Sequence, residues 1–264
     1  MSDITFQCTE CGNCCKDLRL PVTPAEARTW LERGGRVDVL CEALPWPTEP
    51  EPGNVFAEYK RRRSFAADSG TLPVRIDVTL AASFSGPCPN LGDDLRCRAY
   101  DTRPLVCRVY PAEISPFLEL RPENKGCPPE AWRPGTAPLL AGGTIVDATT
   151  REAAERSRVE QELAVPAKQA ICAALGLDRA SVANEGFLIL SPEPADLLAV
   201  LCALPEAPQV QETSDEGAAP RGWTLVSNRQ QTIDVLGQVG ALSELDRAPQ
   251  GGHAYLYIGM HAAS

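Results

Sequence analysis

Eight of the chain's 11 cysteines are placed in five short stretches of its first half, and no other sequence feature constrains the fold as strongly. Four of them fall within eight residues, in the order Cys8-x-x-Cys11-Gly12-x-Cys14-Cys15. The other four follow at Cys88, Cys97, Cys107 and Cys127. Thiolates are strong ligands for zinc and iron, and this density in a chain without secretory features favours metal coordination over a disulfide framework. We therefore expect a loop-rich amino-terminal domain organised by cysteine-bound metal.

The spacing of the first cysteines bears on the choice of metal. In Cys8-x-x-Cys11, the two-residue gap lets both sulfurs meet one metal, and Gly12 permits the positive φ that such a turn needs. With Cys14 added, the spacing is the one with which bacterial ferredoxins present three thiolates to a four-iron cluster, whose fourth ligand is a remote cysteine. Cys88 and Cys127 each precede a proline, as such a ligand often does, but neither lies at the distance a ferredoxin uses. Eight thiolates would also fill two four-coordinate zinc sites.

The adjacent pair Cys14-Cys15 complicates both schemes. Neighbouring side chains of extended backbone point to opposite sides, so Cys14 is expected to face the first metal and Cys15 a second metal or an open position. The alternative for Cys15 is a plain buried thiol. We interpret Cys41, Cys172 and Cys202 in that simpler way, because Cys172 and Cys202 lie in apolar helical patterns and Cys41 has no close cysteine partner in the sequence.

A second block, Cys97-x-x-Tyr100-x-x-Arg103-Pro104-x-x-Cys107-Arg108-x-Tyr110, completes a specific pattern. Combined with the amino-terminal cluster and Cys127, it resembles the C-x-x-C-x-x-C-C family of zinc- or iron-chelating proteins, also called YkgJ-like cysteine cluster proteins, and more distantly the flagellin lysine methylases. The resemblance covers roughly residues 6–130. It implies eight metal ligands: Cys8, Cys11, Cys14, Cys15, Cys88, Cys97, Cys107 and Cys127. It also marks Tyr100, Arg103, Arg108 and Tyr110 as cofactor-binding residues that accompany the ligands.

The accompanying residues can be given physical roles. Arg103 and Arg108 could donate hydrogen bonds to metal-bound thiolates and so raise the potential of a redox site. Tyr100 and Tyr110 could pack over the metal and exclude water. In the structural alternative, Arg103 pairs with an acidic side chain and both tyrosines belong to the core.

Composition and charge exclude several classes of protein. The net charge is −10, whereas nucleic-acid-binding surfaces are usually basic, so we expect no nucleic-acid partner. No apolar run approaches the roughly 20 residues that span a bilayer, and Met1 to Thr5 lacks the features of a signal peptide. We expect no membrane association and a place in the reducing cytoplasm of a bacterium. Neither a P-loop nor a dinucleotide fingerprint occurs in the sequence.

Proline punctuation from Pro128 to Pro138 predicts a domain boundary. We expect an α+β fold, with a cysteine-cluster metal domain over 1–135 and an α+β domain over 136–264 that carries most of the negative charge and has no assignable role. The elements expected are helices at 24–33, from Thr149 with a kink at Pro166 to Gly176, and from Ser191 to Leu204; strands at 74–80, 186–190, 223–226 and 254–258; and a polar loop at 205–222, with His253 at a strand's start.

Three functional classes remain open at this stage. The first is an iron–sulfur (4Fe-4S) oxidoreductase, favoured by the three-cysteine spacing. The second is a zinc- or iron-chelating or delivery protein without turnover. The third is a methyl-donor-dependent protein lysine methylase, which the more distant resemblance implies. The expected partners are metal and, for the enzyme classes, a protein or peptide substrate.

Overall fold

The computed structural model describes residues 3–204, 222–246 and 255–262. The helices are α1 (Pro24–Glu32), α2 (Val55–Arg63), α3 (Leu105–Val109), α4 (Ala148–Leu163), α5 (Val165–Leu175), α6 (Pro194–Ala203) and α7 (Gln230–Gln238). The strands are β1 (Ile4–Thr5), β2 (Lys16–Val22), β3 (Arg36–Pro45), β4 (Ser64–Ser69), β5 (Leu72–Pro87), β6 (Pro138–Ala141), β7 (Thr144–Ile145), β8 (Arg179–Val182), β9 (Gly186–Leu190), β10 (Thr224–Ser227), β11 (Ser243–Leu245) and β12 (Tyr255–Gly259). Helices and strands are both abundant, so the α+β prediction is confirmed.

The chain forms two compact units, and each is built from two separate stretches of sequence. Unit 1 consists of Met1–Val22 and Ala82–Gln161, and unit 2 of Thr23–Ala81 and Glu162–Ser264. This division differs from the expected boundary near residue 135. The proline-rich segment is not a linker, because its Ala131 is fully buried and β6, which follows it, pairs with β1.

Unit 1 contains all eight clustered cysteines and a small apolar core. Its three-stranded sheet has the order β1-β6-β7, with Leu140 opposite both Ile4 and Ile145. The rings of Phe6 and Trp132 lie 4.9 Å apart beside this core. The buried members of the core cluster are Val109, Ala112, Leu120, Leu139, Leu140, Ala153 and Ala154. A core of this size leaves much of the unit's loop structure to be held by other interactions.

Unit 2 is built on a larger mixed sheet. Its strand order is β11-β10-β8-β3-β5, with β9 beside β3, β12 beside β9 and β4 beside β5. The pairs β3/β8, β8/β10 and β10/β11 are parallel, and α7 links β10 to β11. Consecutive residues are buried in β8 (180–182) and in β10 (225–227), which agrees with burial on both faces. Fully buried side chains include Val39, Ile76, Leu80, Leu188 and Leu225.

Most predicted elements occur, with informative differences at their ends. The capping box of α1 is present, since Thr23 accepts from the amide of Glu26 and the Glu26 carboxylate accepts from that of Thr23. The helix expected from Thr149 begins at Ala148, and Asp147 caps it by accepting from the amide of Thr150. One residue separates α4 from α5 just before Pro166. The helix predicted from Ser191 begins at Pro194.

The remaining expectations concern one strand, the end of α5, two carboxy-terminal segments and membrane-spanning helices. The strand expected at 74–80 extends over Leu72–Pro87, and Gly176 ends α5 with a φ of 65°. His253 and the loop expected at 205–222, apart from Gly222, lie outside the described residues. Within the part of the chain that is described, no helix combines the length and the apolar character needed to cross a bilayer.

A cluster of charged side chains lies inside unit 2. Lys60 donates to Glu42 at 2.8 Å and to Asp77 at 3.3 Å. Lys168 is 1% exposed, and burial lowers its pKa to about 8 against the opposing attraction of Asp77. Burial disfavours the charged form, so this amine loses its proton at a lower pH than an exposed lysine does.

Candidate metal centre

The amino-terminal cysteines lie on two successive tight turns. Glu10, at a φ of 54°, donates its amide to the sulfur of Cys8 at 3.4 Å. Gly12, at a φ of 70°, accepts from the amide of Cys15 at 3.0 Å. An amide that donates to the sulfur two residues back is an arrangement suited to a metal-bound thiolate, because it offsets charge on sulfur. The positive φ expected at Gly12 is present.

The segment from Cys88 to Arg98 is a hairpin-like loop that returns to these turns. Cys88 donates its amide to the carbonyl of Cys15 at 2.8 Å. Leu91 forms an antiparallel bridge with Cys97, and its amide donates to the carbonyl of Cys88 at 2.9 Å. A side chain added at Gly12 would lie 3.5 Å from Leu91, so the loop packs directly against the first turns.

The last two cysteines approach the cluster from other directions. Cys107 is on the short helix α3. The backbone of Asn13 lies 3.8 Å from the position of a Cβ at Gly126, which brings Cys127 beside Cys14. Tyr110 accepts the amide hydrogen of Gly126 at 3.1 Å, and its hydroxyl is 3.7 Å from the sulfur of Cys127.

The sulfurs of Cys14 and Cys15 lie 3.9 Å apart, within hydrogen-bonding distance. The hydrogen bond from Cys14 lowers the pKa of Cys15, although burial and the neighbouring thiols oppose the shift. The same bond, together with burial and the charge of Cys15, raises the pKa of Cys14 far above its usual range. Of the two thiols, Cys15 is therefore the more acidic.

Electrostatic interactions divide the remaining thiols around this pair into two groups. Burial raises the pKa of Cys127, and the thiols that add to the shift are Cys14, Cys11 and Cys8. The thiols whose charges act on Cys15 are Cys88, Cys107 and Cys97. Burial raises the pKa of Cys107 to about 12, with contributions from Cys88, Cys14 and Cys97. Cys14 thus contributes to pKa shifts in both groups, whereas each of the other thiols contributes mainly within one group.

The four accompanying residues have different surroundings. Arg103 lies 3.7 Å above the ring of Tyr100 and donates to its carbonyl, and its charge lowers the pKa of both Cys14 and Cys107. Arg108 donates to the carbonyls of Arg103 at 3.0 Å and Asp101 at 2.7 Å. Arg103 and Tyr110 thus lie beside the cysteines, while Tyr100, which is 55% exposed, and Arg108 support the loop that holds Arg103.

The donor chemistry of the cluster fits a cation that prefers sulfur. Burial and, after it, the charges of neighbouring thiols raise the pKa of Cys88, Cys107 and Cys127, and a bound cation would offset both effects by stabilising the thiolates. Among the described residues, no group of three or more histidine, cysteine or acidic side chains is close enough to hold a metal ion.

The other three cysteines lie in unit 2. Cys41 and Cys172 are buried, and a hydrogen bond to Cys172 raises the pKa of Cys41 together with burial. Sequence spacing alone gave no sign of this pairing, which depends on α5 packing near β3. Cys202 is exposed, in contrast to the buried thiol expected there.

The comparisons agree with the chemistry of the site. Residues 7–128 match the family model CxxCxxCC, described as a "putative zinc- or iron-chelating domain". This segment of the chain is thus similar to that family, and the resemblance based on residues 6–130 is confirmed. The more distant resemblance to flagellin lysine methylases has no support. No curated protein and no solved structure matches the chain significantly.

Proposed function

We propose that this CxxCxxCC domain binds a four-iron iron–sulfur cluster through Cys8, Cys11, Cys14 and Cys127, and that the protein is a redox protein. The observation that carries the proposal is the placement of Cys127: the backbone of Asn13 lies 3.8 Å from the Cβ position of the preceding Gly126. In agreement with this placement, burial and then the charges of Cys14, Cys11 and Cys8 raise the pKa of Cys127. Such a set of three neighbouring thiolates and one remote thiolate is the usual ligand set of a four-iron cluster. When bound, the cluster would supply one-electron transfer.

The neighbouring side chains support this assignment. Arg103 places a positive charge where it acts on Cys14, which would offset the negative charge of a thiolate-ligated cluster. The amide of Glu10 donates to Cys8, and the hydroxyl of Tyr110 lies within hydrogen-bonding distance of Cys127. Hydrogen bonds to ligand sulfurs set the reduction potential of such clusters.

The decisive experiment is anaerobic purification with iron, zinc and acid-labile sulfide measured per chain, together with visible absorption and electron paramagnetic resonance of the reduced protein. We expect four irons and four sulfides, in line with the cluster stoichiometry. Cys11→Ser should lose both, and Cys202→Ser, which changes an exposed thiol of unit 2, should lose neither. Protein that retains zinc, contains no sulfide and shows no visible absorption would overturn the proposal.

Chelation or delivery of zinc or iron without turnover is the second candidate. The exposure of Cys8 and the incomplete convergence of the described thiols favour it, because a ligand open to solvent can pass its metal to an acceptor. Transfer of radioactive zinc or iron from the loaded protein to a metal-free acceptor, faster than its release to buffer, would support delivery. Nothing in the described residues favours methyl transfer.

A further inference from the structure

Unit 2 contains an open cavity of about 690 Å³ at the carboxyl ends of neighbouring parallel strands. Its lining includes Val182, the last residue of β8, and Pro45, the last residue of β3, which runs parallel to β8. From β8 the chain turns back to β9, beside β3, whereas from β10 it continues through α7 to β11, on the far side of β10 from β8. Connections that diverge in this way leave a crevice at the strand ends, where sheets with parallel strands usually bind their ligands.

Much of the cavity lining is apolar. Val235 and Val239, one turn apart on α7, line it and are largely exposed. Pro45, Pro73 and Val182 contribute further apolar surface from the strand ends. A cavity of several hundred Å³ with an apolar lining and a few polar groups is typical of sites for small organic molecules.

The polar end of the cavity is organised around Glu185, in the turn that follows β8. Its carboxylate accepts from the hydroxyl of Ser227, at the end of β10, and from that of Thr232, on α7, at 2.6 Å. Arg229, just before α7, lies 3.5 Å from the same carboxylate. The amide of Arg229 also donates to the Ser227 hydroxyl at 3.1 Å. These bonds fix the backbone of Arg229 and hold its guanidinium in the cavity lining.

The electrostatics of this end favour an anionic group. Two hydroxyls and the guanidinium offset the charge of Glu185, whereas the contact with Glu185 uses one of the several N–H donors of Arg229. Helix α7 also begins here, and within the described residues no side chain caps its start. The first amides of a helix have no partners inside it, and the positive end of the helix dipole adds to the charge of Arg229.

We propose that this cavity binds a small organic carboxylate with an apolar body. The carboxylate pairs with Arg229, whose planar guanidinium can donate two parallel hydrogen bonds to it. The apolar body lies against the prolines and valines of the lining. All of these residues belong to unit 2, so the proposal does not depend on the metal chemistry proposed for the cysteines.

The test measures binding to full-length protein by saturation-transfer magnetic resonance. The probes are butanoate, isocaproate, hydrocinnamate and indoleacetate, each compared with the amide and the amine of the same carbon skeleton. At least one carboxylate should bind about tenfold more tightly than its amide, because charge-assisted hydrogen bonds are stronger than neutral ones. Equal binding of acid and amide, tighter binding of the amine, or no binding of any carboxylate would overturn the proposal.

Variants then locate the site. Arg229→Gln should weaken binding of the carboxylate about tenfold and leave the affinity for its amide unchanged. Arg28→Gln is the matched control, because Arg28 is an exposed arginine of α1 paired with Glu32, and it should change neither affinity. A carboxylate that binds Arg229→Gln as tightly as wild-type protein would contradict the assignment of Arg229.

A second variant keeps the proposal testable if Arg229→Gln does not fold. Val235→Trp changes an exposed position of α7 and should block the cavity, so that neither acid nor amide binds. Hydrogen exchange of wild-type protein with the bound carboxylate should show added protection in peptides from α7. Full affinity in Val235→Trp, or protection that appears only in other peptides, would place the carboxylate elsewhere and overturn the proposal.

Discussion

At the scale of single residues, the adjacent thiols of Cys14 and Cys15 have pKa values shifted in opposite directions. The hydrogen bond between the two sulfurs lowers the pKa of Cys15 and raises that of Cys14. The sequence predicted different roles for the two cysteines from the direction of neighbouring side chains. The structure adds a difference in pKa, which no spacing rule contains because it depends on one hydrogen bond.

The first prediction concerns the reactivity of this pair. In metal-free protein at neutral pH, iodoacetamide should modify Cys15 before Cys14, because the thiolate is the nucleophile. Mass spectrometry of peptides from a time course would measure both rates. Cys14→Ala removes the donor and should slow the modification of Cys15. Equal rates for the two cysteines in wild-type protein would show that the hydrogen bond does not make Cys15 the more acidic thiol.

The second prediction concerns Arg103. If a redox cluster is bound, Arg103→Gln should lower its reduction potential, because a positive neighbour of the thiolates is lost. A charge interaction of about 1 kcal/mol corresponds to about 40 mV for a one-electron couple. Protein-film voltammetry would measure the shift. Arg98→Gln is the control, since Arg98 is exposed and close to Asp93. An unchanged potential in Arg103→Gln with metal retained would assign Arg103 to the surface.

The third prediction concerns the buried Lys168. Its pKa is about 8 in the fold and about 10.5 in the unfolded chain, so the unfolded state binds more protons between these values and stability rises with pH. The cost of burying the charge is complete below pH 8 and absent above pH 10.5. Relative to Lys168→Met, wild-type protein should gain about 3 kcal/mol of unfolding free energy across that window. Urea titrations of both proteins at several pH values would measure the gain, and a constant difference would contradict it.

At the scale of elements, the sequence predicted the helix ends that depend on interactions between residues close together in the chain. Thr23 and Glu26 are three residues apart and satisfy each other's backbone, so α1 could be predicted from sequence alone. The start of α4 could not, because Asp147 and Thr149 are both suitable caps and only the fold chooses Asp147. Helix α5 likewise ends at a glycine in the left-handed region, as the sequence indicated.

The fourth prediction concerns the turn between Cys11 and Cys14. Gly12→Ala should cost about 1 kcal/mol through backbone strain, because φ is 70° while the neighbouring atoms leave room for a methyl group. Metal retention against a chelator should fall roughly fivefold. Gly142→Ala is the matched control, since Gly142 also has a positive φ, of 56°, but lies in the β6–β7 turn. Equal retention by the two variants would separate this turn from metal binding.

At the scale of the whole molecule, sequence analysis located the cluster but not the unit that contains it. The prolines at 128–138 suggested a boundary, yet the chain continues through unit 1 to Gln161. Membership of a unit depends on pairings such as Cys88 with Cys15 and β6 with β1, which join residues far apart in sequence. No local pattern specifies such pairings, whereas the cysteine cluster is visible in the sequence because its chemistry is carried by the residue type.

The fifth prediction concerns removal of metal. Binding of thiolates contributes on the order of 10 kcal/mol per structural site, more than the small core of unit 1 can replace. A chelator should therefore unfold the cluster region of Met1–Val22 and Ala82–Gln161 and leave unit 2 protected. Hydrogen exchange with mass spectrometry would follow peptides from both units. Unchanged protection around the cysteines in the metal-free protein would rule the prediction out.

The construction of unit 1 from two separate stretches of sequence also has a consequence for its synthesis. The hydrogen bond between Cys88 and Cys15 closes a loop that contains all of Thr23–Ala81. During translation the amino-terminal thiols leave the ribosome well before Cys127 does, and domains form only when their residues are all available. Metal insertion must therefore follow most of translation, and until then the nascent chain presents four reactive thiols to the cell's oxidants and competing metals.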